Sequence, residues 1–266
     1  MDIYKCPKIK ISHTLGKITL KNGSLSYFLS NYIYIYMIIS LGCSCKVRDA
    51  IQRHIKDYSL ETNMFDWVLS NFDSVLYFIS NIDKPLITDD FYDTKTQCTT
   101  HRIVNHIKNR FDTLHDVDFD KPYETEICAL IDKYNRRLSR LKNIILNNET
   151  KHFIHLVDCN YNFRTPDKDI HIPSIDDILT FNKLIHNINP NCIYYLHILI
   201  PPQNCKNYKK NFNYVKTDVE KLSGNNVFVY FLSQDETLDP GRDQQCRHWS
   251  WSDVFNNIDK NNNSMF

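Results

Sequence analysis

Four short, nearly continuous apolar runs, at residues 37–41, 153–157, 193–200 and 227–232, set the main constraint on how this chain can fold. A strand that is apolar on almost every residue, rather than on every second one, needs cover on both faces. Between and after these runs, apolar residues recur at spacings of three and four. They do so over 45–57 (Val47, Ala50, Ile51, Ile55), 69–82 (Phe72, Val75, Leu76, Ile79), 123–147 (Ile127, Ile131, Tyr134, Leu138, Leu141, Ile145) and 174–187, and more weakly over 208–222. Strand followed by helix, repeated, implies an α/β fold: three layers, a mostly parallel sheet with helices on both faces, Rossmann-like. Ser174 with Asp176 and Asp177 behind it reads as a helix start. Residues 83–120 are polar and irregular and hold one helix at most, around 100–110; they read as an insertion or active-site loops.

The first 36 residues differ from the rest, with Lys8, Lys10, Lys17 and Lys21 among β-prone residues. They read as an N-terminal extension ahead of a single α/β domain over 37–256, followed by an Asn-rich disordered tail over 257–266. Met37 is a candidate alternative start. The apolar stretch 32–41 is roughly half the length that a membrane-spanning helix requires, so a strand is expected there and no membrane association.

Charge narrows the function. Lys and Arg number 32 against 31 Asp and Glu, a formal net +1, which excludes binding to nucleic acid or anionic membranes through bulk charge. Nine cysteines, an odd number scattered singly apart from Cys43 and Cys45, do not form a disulfide framework, and no secretory leader opens the sequence. Free thiols in a reducing, intracellular compartment are expected. Neither His101/His106 nor His152/His155 joins a cysteine pair at metal-ligand spacing, so no metal and no cofactor is expected.

The strongest local signal is Ser40-Leu41-Gly42-Cys43-Ser44-Cys45, leading from a buried strand directly into a helix. A thiol on a first helical turn meets backbone N–H groups and the positive end of the macrodipole, which favour its thiolate. Cys45 is therefore the candidate nucleophile. Ser44 or Ser40 is a weaker one, because the Gly-x-Ser-x-Gly elbow is missing. A Cys-based phosphatase loop does not fit, since Arg48 follows Cys45 by three residues only, and a Cys-x-x-Cys pair is absent. A nucleophilic thiol needs a base. His101, His106, His115 beside Asp116, and His248 are candidates, whereas His155 and His197 lie inside apolar runs and read as core residues. Arg137 and Arg140 read either as a solvated or carboxylate-paired helix face or as clamps for an anionic group. Trp249 and Trp251 either line a ligand pocket or seal the core.

Five motifs in order carry a resemblance: Ser-Leu-Gly-x-x-Cys at 40–45, Phe65-Asp66-Trp67, His115-Asp116, the basic run from Lys133 to Arg140, and Trp251-Ser252-Asp253-Val254-Phe255. Over about residues 37–256 the chain resembles a family of papain-like cysteine peptidases, itself of unknown function, found in bacteria and large DNA viruses. The resemblance implies a hydrolase or acyltransferase with Cys45 as nucleophile, His115 as general base and Asp66 orienting it or shaping the pocket. It also implies an oxyanion site at the N–H groups of Ser44 and Cys45, a small-molecule or peptide substrate, and the host cytoplasm as the setting if the chain is viral. A papain-like α+β fold is the alternative that it brings to the three-layer architecture. A non-catalytic α/β module is the alternative function, binding a nucleotide, sugar or phosphorylated ligand with Arg137 or Arg140 as clamps and Trp251 near the pocket.

Overall fold

The computed structural model describes residues 36–42, 45–55, 62–98, 101–106, 112–113, 116–157, 172–202, 204–205, 210–211, 216–224, 226–233 and 250–263. The chain divides into two compact units, residues 1–33 and 34–266, and every described residue belongs to the second. In chain order the elements are β1 (Tyr36–Ser40), α1 (Cys45–His54), β2 (Val68–Leu69), α2 (Phe72–Ser80), β3 (Phe91–Cys98), β4 (His101–His106), β5 (Asp112–Thr113) and α3 (Tyr123–Leu146). They continue as β6 (Thr150–Leu156), α4 (Ile175–Ile188), β7 (Tyr194–Ile200), β8 (Asn204–Cys205), β9 (Lys210–Asn211), α5 (Lys216–Glu220), β10 (Val227–Phe231) and α6 (Trp251–Asn263).

The four apolar runs become one parallel sheet, ordered β1-β6-β7-β10. The fold is thus mixed α/β, and its strands follow chain order across the sheet without reversal. Alternate residues serve two separate cores. Ile39, Leu41, Phe153, Val157, Leu196 and Ile198 pack with apolar residues of α2, α3 and α4. Ile38, Ile154, Leu156 and Leu199 pack instead with Val47, Ala50 and Ile51 of α1 and with Trp251, Val254, Phe255 and Ile258 of α6. Each fully buried aliphatic side chain contributes about 1.5–3 kcal/mol, so the doubly covered sheet is the main source of cohesion. Ser174 caps α4 reciprocally: its Oγ accepts from the Asp177 N–H at 3.1 Å, and its own N–H donates to Asp177 Oδ2 at 2.7 Å.

Three expectations need correction. The irregular region 83–120 supplies β3, β4 and β5 of an antiparallel sheet ordered β2-β5-β4-β3, and residues 101–106 are the strand β4, not a helix. Its strands are short and polar, and only the cross-strand pairing, Phe91 with His106 and Asp93 with Val104, supplies what their sequences lack. Within the span 208–222, expected as a helix, Lys210–Asn211 lie in β9 and Lys216–Glu220 form α5. Residues 257–263 continue α6 and are not a disordered tail, because Ile258, with no exposure, anchors that turn in the core one turn after Val254. Among the described residues, no helix is long and apolar enough to cross a membrane.

His155 and His197 are both fully buried. His197, on the interior strand β7, meets His152 Nδ1 through its Nε2 at 2.9 Å and Tyr230 Oη through its Nδ1 at 3.1 Å. Burial, and secondarily the neighbouring His152, holds His197 down at about 3 from an ordinary 6.5. An unfolded chain binds this proton more readily, so the stabilisation is complete above pH 6.5 and disappears as pH falls through about 3. Wild type should lose about 4 kcal/mol across that window relative to a His197→Phe variant. Urea denaturation of both proteins from pH 7 to pH 3 measures the difference, and parallel curves would contradict it.

Candidate functional site

The site begins where β1 ends. Leu41 N–H still donates to Ile154 O at 2.8 Å, and then Gly42 turns the chain with φ +95°. Its N–H donates to Ser40 Oγ at 3.2 Å. No other residue fits at position 42: a Cβ there would lie 1.8 Å from Ser70 Oγ and 3.6 Å from Phe65 Cβ. Glycine is required both for the left-handed backbone and for the close approach of the segment carrying Phe65 and Ser70. Cys45 is the first residue of α1. Ser44, His115 and the Cys45 side chain lie outside the described residues, as do Trp249 and His248.

Asp66 is the best-defined member of the site. The chain closes a turn over residues 63–67, in which the Asn63 N–H donates to Asp66 Oδ2 at 2.8 Å, Asn63 Nδ2 donates to Oδ1 at 3.4 Å, and the Phe65 N–H donates to Asn63 Oδ1 at 2.9 Å. Trp67 closes this turn in the left-handed region, at φ 67°, a conformation that costs a side-chain-bearing residue about 1–2 kcal/mol. The Asp66 carboxylate faces Arg48 Nη1 at 3.4 Å, and neither side chain has any solvent exposure. Burial pushes Asp66 up to about 6, against the opposing pull of Arg48, the Asn63 N–H, Arg137 and Arg140. Desolvation of the carboxylate outweighs its cationic company.

From the other side the turn is held by α3. Arg137 Nη1 donates to the Asp66 carbonyl at 3.4 Å, and Arg140 donates to the Thr62 carbonyl. The Arg137 guanidinium also lies over the Tyr134 ring, 4.9 Å from its centroid. Tyr134 Oη donates to Asp116 Oδ2 at 2.5 Å, and Lys133 pairs with the same carboxylate. Burial and the Asp116 charge push the Tyr134 phenol well above its ordinary value. Three of the motifs, Phe65-Asp66-Trp67, Asp116 and the Lys133 to Arg140 run, are therefore one contiguous bonded assembly, next to the start of α1. Trp251 is elsewhere: with 1% exposure it belongs to the core beneath α1 and α6 and seals it.

Sequence reasoning did not single out Arg48 as a member of the site. Its signal is present, a lone cation adjoining the apolar positions Val47, Ala50 and Ile51, but a surface arginine gives the same pattern. Asn63 was missed as well, since its role is local bonding within the turn. Compared with known protein families, curated proteins and solved structures, the chain matches none of them.

Two outcomes follow from this geometry. Gly42→Ala should cost at least about 2 kcal/mol, combining the left-handed penalty with the overlap at Ser70. Part of that loss should return in a Gly42→Ala, Ser70→Gly double variant, and chemical denaturation that shows no recovery would remove the overlap as a cause. For Asp66, whose folded value is raised, the stabilisation is complete below 3.8 and is lost as pH rises through about 6. Between pH 4 and pH 7 the stability of wild type should therefore fall by about 2 kcal/mol relative to Asp66→Asn. A pH-independent gap between the two proteins would show that Asp66 keeps its ordinary value.

Proposed function

We propose that the chain is a cysteine-dependent hydrolase or acyltransferase built on a three-layer, Rossmann-like architecture, acting on a small-molecule or peptide substrate. One observation carries this reading: Cys45 opens α1, three residues after the positive-φ Gly42 that follows β1. The N–H groups of a first helical turn and the macrodipole favour a thiolate there and can accept a developing oxyanion at Ser44 and Cys45. The Arg48 cation, one helical turn along α1, acts in the same direction. Further support comes from the resemblance to papain-like cysteine peptidases, whose fold is the alternative, and from the free thiols Cys128 and Cys192, which suit a reducing intracellular compartment.

In the proposed reaction the Cys45 thiolate attacks an amide, ester or thioester carbonyl. The tetrahedral oxyanion collapses, and the leaving amine, alcohol or thiol takes its proton from the His115 imidazolium. Water, deprotonated by His115, then releases the acid from the acyl-enzyme, or another acceptor takes the acyl group. The Asp66 carboxylate is engaged by Arg48 and Asn63, which favours the wall-shaping role over the orienting one.

Alkylation by iodoacetamide, followed residue by residue with mass spectrometry from pH 5 to pH 9, tests the proposal. Cys45 should inflect below about pH 7, well under the ordinary thiol value of about 8.5. His115→Ala should move the Cys45 inflection upward. If Cys45 inflects at the ordinary thiol value of about 8.5, the proposal fails.

A further inference from the structure

The middle of α3 carries a strong excess of positive charge. Between residues 132 and 142, Lys133, Arg136, Arg137, Arg140 and Lys142 stand against the single carboxylate of Asp132. Lys133 is matched by Asp116 and Lys142 by Asp83. Arg137, 5% exposed, has the Asp66 carbonyl and the Tyr134 ring, and its Nε finds no acceptor among the described residues. A guanidinium buried in this way projects its charge through a poorly screening interior.

Arg136 and Arg140, four residues apart, share one face of α3, and both line an open depression of about 690 Å³. Arg136 makes no ion pair or hydrogen bond among the described residues. Like charges at this helical spacing repel, unless an anion lies between them. The wall around them adds Ser139, Asn135, Asn143 and Asn147, with Ile144 as the apolar contribution and Asp132 as the single carboxylate against the two guanidiniums. Hydroxyl and amide groups beside two guanidiniums are the donor set for a ligand rich in anionic oxygens, and planar guanidiniums take such groups in bidentate fashion.

We propose that this depression binds an oxyanion-bearing small molecule, a phosphate ester or a carboxylate, with its anionic group between Arg136 and Arg140. The site is separate from the thiol chemistry proposed above. Arg140 nevertheless joins the two regions, because it also holds the Thr62 carbonyl at the head of the turn that carries Asp66.

Thermal unfolding of the full chain, titrated with inorganic phosphate and separately with citrate, tests the proposal against sodium chloride at matched ionic strength. A saturable rise in Tm, on the order of a few degrees at anion concentrations far above Kd, is expected. A response to phosphate alone identifies a phosphate ester, and a response to citrate alone identifies a carboxylate. Arg136→Gln, at an exposed position, should leave the unliganded Tm in place and weaken the apparent affinity at least about tenfold, the loss of one charge-assisted contact. Cys45→Ala should bind as wild type does. The proposal is overturned if neither anion exceeds the chloride control, if Arg136→Gln keeps wild-type affinity, or if Cys45→Ala abolishes binding. Failure of Cys45 to show a lowered inflection would instead count against the thiol chemistry alone.

Discussion

The contact between Arg48 and Asp66 organises the region around the start of α1. Both side chains are removed from water, and a charge in that position is tolerated only where another group compensates for its lost hydration. Arg48 belongs to the helix that follows β1, and Asp66 to the turn that precedes β2. Their pairing therefore ties the end of the parallel sheet to the entrance of the antiparallel one. The compensation is incomplete, since the carboxylate still sits well above its ordinary value. Removal from solvent is thus the stronger influence on Asp66, and the arginines around it moderate that influence without reversing it.

Much of the frame was legible in the sequence because it rests on continuous apolar runs and helical spacing. These signals are local and strong at β1, β6, β7 and β10 and along α1 to α4. What was not legible depends on partners distant in the chain. The strands β3 and β4 carry too few apolar residues to announce themselves, and each becomes a strand by pairing with the other. Arg137 and Arg140 allowed two readings, solvated or anion-binding. In the structure each bonds a backbone carbonyl of the 62–67 segment. No spacing within α3 encodes that contact. Trp251 also admitted two roles, and its burial between α1 and α6 decides for the core.

Gly42 shows how a single small residue couples the two kinds of information. Its place at the end of a strand is visible in the sequence, but the reason for its missing side chain is Ser70, on a segment that the sequence places far away. The same hydroxyl donates to the Leu41 carbonyl at 3.5 Å, so the contact that excludes a side chain at residue 42 also satisfies the last carbonyl of the strand end. Shape and bonding at this junction come from one neighbour.

The unreversed strand order has a consequence for assembly. From β6 onward each strand pairs with the strand of this sheet that follows it in the chain, β6 with β7 and β7 with β10, across connections far shorter than the one from β1 to β6. The pairing of β1 is different: Tyr36 aligns with Thr150, and the whole of α1, the antiparallel sheet and α3 lie in between. Chain entropy opposes long closures more than short ones, and non-local contacts slow folding. The segment from β6 to β10 is accordingly the part of the sheet that local contacts can nucleate, and β1 is the strand whose docking carries the largest entropic cost. Since α1 and the turn around Asp66 are placed by β1, the candidate site is assembled by the least local contact in the sheet.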